Sequence, residues 1–226
     1  GLRRARGAAR AARPDIVYAM RVLFAATELA PWVKVGGLGD FVGSLPKALR
    51  AMGVDARVAI PAHAGILRRV PPPEPVARAS IPHADGEMRA EILRTTLDGV
   101  PVYLVSGPPI DPSSVVYTGR MDEEGRRFAF FSRAVVAYAA EWGADVMHAN
   151  DWQAGFVPVY ELIDVVDIPT VFGIHNLAYQ GNFDRALLTS VGVPVELYRT
   201  ENGVEFHDQV SFMKAGVALS DRIVTV

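Results

Sequence analysis

Cysteine is absent from the 226 residues. No disulfide can form, which fits a reducing compartment. Lysine is nearly absent too: Lys34, Lys47 and Lys214 stand beside twenty arginines. No apolar run is long enough to span a bilayer as a helix, so no membrane partner is expected. The formal net charge is −2, which excludes the broadly basic character that nucleic acid favours. The P-loop spacing is missing, and so is the G-x-G-x-x-G dinucleotide fingerprint. No His pair at helical spacing exists, so no metal and no cofactor are expected.

What is present suits one large domain or two small ones: 50% of residues are hydrophobic and 21% charged. Residues 1–19 read as an Arg/Ala-rich tail outside the fold, and 20–226 as the folded domain. Met20 reads as the natural start. A transit peptide is the rival reading, against which the lack of serine counts. Position 1 is not Met and the last predicted strand ends the chain, so a piece of a longer protein is expected.

The apolar run 21–26 predicts a buried strand. A glycine loop follows, then a helix through Phe41, Leu45, Ala48 and Leu49 that stops near Gly53. Residues 55–60 read as a second strand and 70–88, with their proline cluster, as loop. Two strands turn at Asp98-Gly99. A long helix starts at Asp122 as N-cap and stops at Gly143. Then come a strand at 144–149, a helix over 152–163 despite Pro158, a strand at 169–175, a helix over 208–220 and a strand at 221–226. Strands alternating with helices predict an α/β fold, a doubly wound parallel sheet covered on both faces.

Ligands of such sheets bind beyond the carboxyl ends of the strands. Three unusual clusters fall there: "ELAPWVKVGGLGD", "HANDWQAG" and "IHNLAYQGNF". Gly36, Gly37 and Gly39 allow close backbone approach, and a helix N-terminus behind them suits phosphate. Lys34 would add a compact positive charge; a solvated loop lysine is the plain alternative. His148 and His175 sit at strand ends, where a structural histidine is common. Asp151 reads either as a site acid or as a helix N-cap. Asn176, Tyr179 and Gln180 add neutral hydrogen-bonding groups beside His175, of the kind sugar hydroxyls need. Trp32 and Trp152 either stack on a sugar or pack in the core.

"KVGGLGDFVGSLPKAL", "EEGRRFAFFSRA", "HANDWQAGFVPVY", "IHNLAYQGNF" and "FMKAGVALSDRIVTV" together resemble the N-terminal half of bacterial glycogen synthases and plant starch synthases. The resemblance covers about residues 20–226. It implies a Rossmann-like N-terminal domain of the two-domain GT-B architecture, with the C-terminal domain absent. It implies retaining transfer of glucose from ADP-glucose to the non-reducing end of an α-1,4-glucan, in a bacterial cytoplasm or, for a plant starch synthase, a plastid. By the same resemblance Lys34 binds the donor near its diphosphate and the three glycines let the donor approach. His175 and Asp151 lie beside the transferred glucose. The chain departs from the family at Asn150 and Gln153, where histidines are expected. The missing domain would supply further basic residues and a carboxylate, so the chain alone is expected to be inactive. The alternatives are a GT-B transferase for another nucleotide sugar, or a non-catalytic glucan-binding or regulatory homologue.

Overall fold

The computed structural model describes residues 19–226. The tail read from residues 1–19 lies outside the described residues except for Ala19. The first strand, β1 (Arg21–Ala25), leads through the glycine loop to α1 (Gly37–Ala51) and β2 (Asp55–Pro61). A single turn, α2 (Ala64–Leu67), precedes β3 (Glu74–His83), β4 (Gly86–Leu97) and β5 (Val100–Ser106). The long α3 (Met121–Trp142) leads to β6 (Val146–Asn150), a 3-10 turn at Trp152–Ala154, and α4 (Val157–Ile163). The chain continues through β7 (Thr170–Ile174), β8 (Asn182–Phe183), the one-turn α5 (Leu187–Ser190) and a 3-10 turn at Val195–Leu197. It closes with β9 (Glu205–Phe206), β10 (Gln209–Ser211), α6 (Phe212–Leu219) and β11 (Arg222–Thr225).

The main sheet has the order β11-β7-β6-β1-β2-β5-β4-β3. The strands from β11 to β5 are parallel, and β4 and β3 extend the sheet antiparallel. The α/β sheet expected from the sequence is therefore present, with a hairpin edge added. Residues of β1 alternate between two cores. Val22 and Phe24 join Leu38, Val42 and Ile60 under α1. Leu23 and Ala25 join Phe128, Phe131, Met147, Phe172 and Phe212 under α3, α4 and α6. Burial on both faces is why these strands read as continuous apolar runs.

Several local expectations change. Residues 74–83, read as loop, form β3, paired antiparallel with β4 from His83↔Gly86 to Glu74↔Arg94 with one register shift between Pro75 and Ala77. The signal was weak because its inward positions are mostly small, Ala77, Ala79 and Ile81. Its prolines, Pro75 and Pro82, are tolerated because β3 is an edge strand. Arg120, not Asp122, is the N-cap of α3, and Asp122 lies in its first turn. Gly143 closes α3 in the left-handed conformation (φ 74°), as expected. The helix read over 152–163 is split, because Pro158 has no N–H to give and sits in the first turn of α4. The helix read over 208–220 begins only at Phe212. Ser211 caps it, accepting from the Lys214 N–H. Asp98 and Gly99 both take positive φ (49° and 81°), as a tight hairpin turn requires.

The functional consequence is the position of β1. Its neighbours are β2 on one side and β6 on the other. Connections leave to opposite faces there, opening a crevice at the carboxyl edge of the sheet.

Candidate active site

The loop after β1 is held from beneath by Glu28, a residue the sequence reading passed over. Glu28 is only 4% exposed. Its Oε2 accepts the N–H groups of Val35 (2.7 Å) and Gly36 (2.9 Å). Its Oε1 accepts from the hydroxyl of Tyr117 (3.0 Å), which also meets Thr27 Oγ1. Burial and the neighbouring carboxylate hold the Tyr117 phenol far above its ordinary range. The available signal was an acid placed directly after an apolar strand.

The three glycines separate into two kinds. A Cβ on Gly39 would lie 3.2 Å from the Val33 carbonyl oxygen and 3.4 Å from Glu28 Oε2. Gly39 is thus required by the protein's own packing. A Cβ on Gly36 or Gly37 would meet nothing within 4 Å. Gly36 is the N-cap of α1 in extended conformation, and the first N–H groups of a helix have no intrahelical acceptor. Lys34 Nζ pairs with Asp40 Oδ2 at 2.8 Å, and both side chains are more than half exposed (53% and 57%). Scarcity alone did not mark Lys34. Lys47 makes an ordinary surface pair with Asp98, and Lys214 ties down the carbonyls of Arg199, Thr200 and Gly203.

Asp151 follows β6 in a backbone conformation (φ 55°, ψ 179°) that is nearly reserved for glycine. Its side chain makes no cap bond to the 3-10 turn that follows, so the N-cap alternative is set aside. Instead Oδ1 accepts the N–H of His175 (2.7 Å) and of Asn176 (3.2 Å). The Asp151 N–H donates to the Gly173 carbonyl. One residue therefore clamps the end of β6 to the turn after β7, and this offsets its strain. Burial pushes the Asp151 carboxyl up, while the two N–H donors oppose the rise. Burial pushes the His175 imidazole down, against the pull of Asp151 and Glu28.

His175 Nε2 lies 3.0 Å from Asn150 Oδ1. The ring of Phe41, on α1, meets the His175 ring edge-on with centroids 4.6 Å apart. Phe41 thus links the glycine-loop helix to the β7 turn, a role its place in the helix pattern did not reveal. His148 stacks on Phe24 (4.9 Å, 16°), and burial pushes its pKa down to about 4. It is packed rather than presented.

The three sequence clusters converge, then, on one edge of the sheet. Asp151, His175 and Asn176 are joined there by hydrogen bonds, and Phe41 brings the helix that follows Lys34, Gly36 and Gly37 against His175. Asn176 Oδ1 accepts from the Ala178 N–H, shaping the turn that leaves Tyr179 67% exposed. Gln180 is anchored through its carbonyl, which accepts from the Met213 N–H and the Ser211 hydroxyl. Trp32 and Trp152 are buried. Trp152 packs edge-on against Phe128 (5.1 Å), so neither indole offers a face to a sugar. Among the described residues no cluster of His, Cys, Asp or Glu is arranged to hold a metal ion. Among them, too, no helix is long and apolar enough to cross a membrane.

The chain is similar to known proteins along nearly all of its described length. The family model for the starch synthase catalytic domain matches residues 21–226. A glycogen synthase of Thioalkalivibrio sulfidiphilus is 37% identical over 219 residues, 92% of this chain and 45% of that protein. One of Anaeromyxobacter dehalogenans is 41% identical with the same coverage. The chain thus spans less than half the length of these relatives. Among solved structures, the catalytic domain of starch synthase IV from Arabidopsis thaliana, bound to ADP and acarbose, superposes with a TM-score of 0.80 at 27% identity. That match covers 91% of this chain and 44% of the other. A parallel sheet with its crevice at β1/β6, the clustered loops and this match over residues 21–226 agree: the chain belongs to the starch synthase catalytic domain family of glycosyltransferases.

Proposed function

We propose that residues 20–226 form the N-terminal wall of a retaining glucosyltransferase that moves glucose from ADP-glucose to the non-reducing end of an α-1,4-glucan. The second wall is assigned to a C-terminal domain carried by the full-length protein. The observation that carries the reading is the Asp151 clamp. It fixes His175 and Asn176 beside the glycine loop through two backbone hydrogen bonds. The ADP and acarbose in the Arabidopsis structure support the choice of donor and acceptor class.

In this reading the diphosphate rests on Gly36 and Gly37 at the N-terminus of α1, with Lys34 neutralising it. Negative charge grows on the diphosphate as its bond to glucose breaks, and positive charge grows on the ring. Groups fixed in advance for that moment lower the barrier. Glu28 accepts three donors through both of its oxygens, and Asp151 Oδ1 is committed to two backbone N–H groups, so both carboxylates serve here to hold backbone in place. Retention without a carboxylate nucleophile fits that arrangement. Asn176 and Tyr179 serve the sugars as neutral partners, and Gln180 holds the loop that carries them.

The test is nucleotide release by the full-length protein with glycogen as acceptor, ADP-glucose compared with UDP-glucose. Faster ADP release coupled to glucan growth is expected. His175→Ala should lower kcat more than it raises KM for the donor. Equal or faster turnover of UDP-glucose removes the donor assignment, and an unchanged kcat in a folded His175→Ala variant removes His175 from the site.

A further inference from the structure

We propose that Asn150 is a positioning residue that fixes His175 as its Nε2–H tautomer and so presents Nδ1 as a hydrogen-bond acceptor toward the ligand. Asn150 is fully buried at the end of β6. Its Nδ2 donates to two backbone carbonyls, Ala25 O on β1 (3.1 Å) and His148 O (2.9 Å). Both amide hydrogens are thereby spent. Turning the amide over would set Oδ1 against two carbonyl oxygens, so the network allows only one orientation. The atom facing His175 Nε2 at 3.0 Å is then an acceptor. An acceptor there demands a hydrogen on Nε2. The neutral ring carries its single hydrogen at that atom, which leaves Nδ1 unprotonated. Nδ1 makes no hydrogen bond to any described residue.

The backbone is shaped for this pair. A Cβ on Gly173 would lie 2.9 Å from Asn150 Oδ1 and 3.3 Å from His175 Nε2. Glycine on β7 is what leaves the two side chains room to meet. The network spans β1, β6 and β7, so it is as rigid as the centre of the sheet. The titratable groups acting on the ring are Asp151 and Glu28, which favour its charged form, and His148, which opposes it. Burial opposes it most strongly and keeps the ring neutral.

The consequence concerns recognition. A neutral ring offering only an acceptor binds a group that donates. A sugar hydroxyl does; a carboxylate or a phosphate oxygen does not. As a statement about the reaction this rests on the sugar-donor reading above. The tautomer is measured with no donor present, so the two fail separately.

The measurement is nitrogen-15 NMR of the imidazoles in the labelled chain at neutral pH. The chain has five histidines, and loss of signals in His175→Gln identifies the ring. A protonated-type Nε2 with an unprotonated-type Nδ1 is expected. In Asn150→Leu, which keeps the branched side-chain skeleton but removes the acceptor, both nitrogens should move to averaged values as the tautomers mix. A merely structural Asn150 would not move that balance. An Nδ1–H or doubly protonated ring in the parent overturns the proposal, and so does an unchanged single tautomer in Asn150→Leu. If Asn150→Leu does not fold, the parent spectrum decides alone.

Discussion

Lys34 and Asp40 face each other across the first turn of α1, both largely in water. Such a pair adds at most about 1 kcal/mol to stability. Lys34→Gln should therefore leave the melting temperature of the full-length protein nearly unchanged. A charge-assisted hydrogen bond to the donor is worth roughly 1.5–3 kcal/mol. The same variant should then lose about ten- to a hundredfold in kcat/KM for ADP-glucose, a range that follows from that energy. Lys34→Arg should recover only part, because a planar fork replaces a compact charge. Donor kinetics equal to the parent's would reduce Lys34 to a surface residue. The glycines give a sharper contrast. Gly37→Ala meets nothing and gains up to about 1 kcal/mol of helix propensity. It should hold or raise Tm while raising the donor KM about tenfold, as loss of one hydrogen bond does. Gly39→Ala presses on the Val33 carbonyl and Glu28 and should lower Tm instead. The sequence offered all three glycines as one feature. Only packing separates Gly39, which serves the protein, from Gly36 and Gly37, which do not.

At the scale of elements, the covering of the sheet depends on close crossings that no periodicity announces. Gly155 lies between the 3-10 turn and α4, against the start of α6. A Cβ there would sit 2.0 Å from the Phe212 carbonyl oxygen, a backbone atom that cannot turn aside. Phe212 is itself stacked on Phe156, with centroids 3.6 Å apart. Gly155→Ala should cost about 3 kcal/mol or more, at the upper end of overpacking, read as a lowered urea midpoint. A midpoint within error of the parent's would mean that α6 shifts freely and the crossing is loose. The same scale explains what the sequence concealed. The period of α3 was legible because Phe128, Phe131 and Val135 recur on its buried side. β3 was not, because alanines on its inner face carry little hydrophobic signal and its prolines read as breakers. Those prolines are harmless because, among the described residues, no strand pairs with its outer edge.

For the whole molecule, two histidines removed from water, His63 and His148, contribute to the response to acid. His63 lies just after β2, 4% exposed, with neither ring nitrogen partnered among the described residues. Burial pushes both His63 and His148 from 6.5 down to about 4. Above pH 6.5 the rings are neutral in folded and unfolded chains alike and contribute no pH dependence. As pH falls toward 4, the unfolded chain takes up protons that the folded chain refuses, so stability is lost across that window. The loss approaches about 3 kcal/mol per ring. Asp151, raised by burial, works the other way, since its folded form takes up a proton sooner. Urea unfolding of the chain at stepped pH should show the decline, and His63→Leu should flatten it without losing a hydrogen bond. A slope unchanged in His63→Leu would place the proton uptake elsewhere. The relatives are more than twice as long as this chain. If the chain carries one wall of the cleft, as proposed, it should by itself bind donor weakly and transfer no measurable glucose from ADP-glucose to glycogen. Measurable transfer would show that the site is complete within 226 residues.

The sequence by itself determined the α/β class, the strands β1, β2, β4, β5, β6, β7 and β11, and the three clusters at strand ends. These rest on local properties: apolar runs, glycine and proline punctuation, and residue types that suit a sugar phosphate. Only the tertiary structure decided what each polar group does there. Asp151 was legible as a cap or a site acid, yet its carboxylate serves the next strand, 24 residues on. Glu28 became part of the site because its loop folds back over it. Asn150 looked like a departure from the family pattern, until β1 and β7 supplied the carbonyl and the imidazole that use its amide. A side chain's hydrogen-bond partners are chosen by the strands that lie beside it, and strand order is a property of the folded sheet rather than of neighbouring residues in the chain.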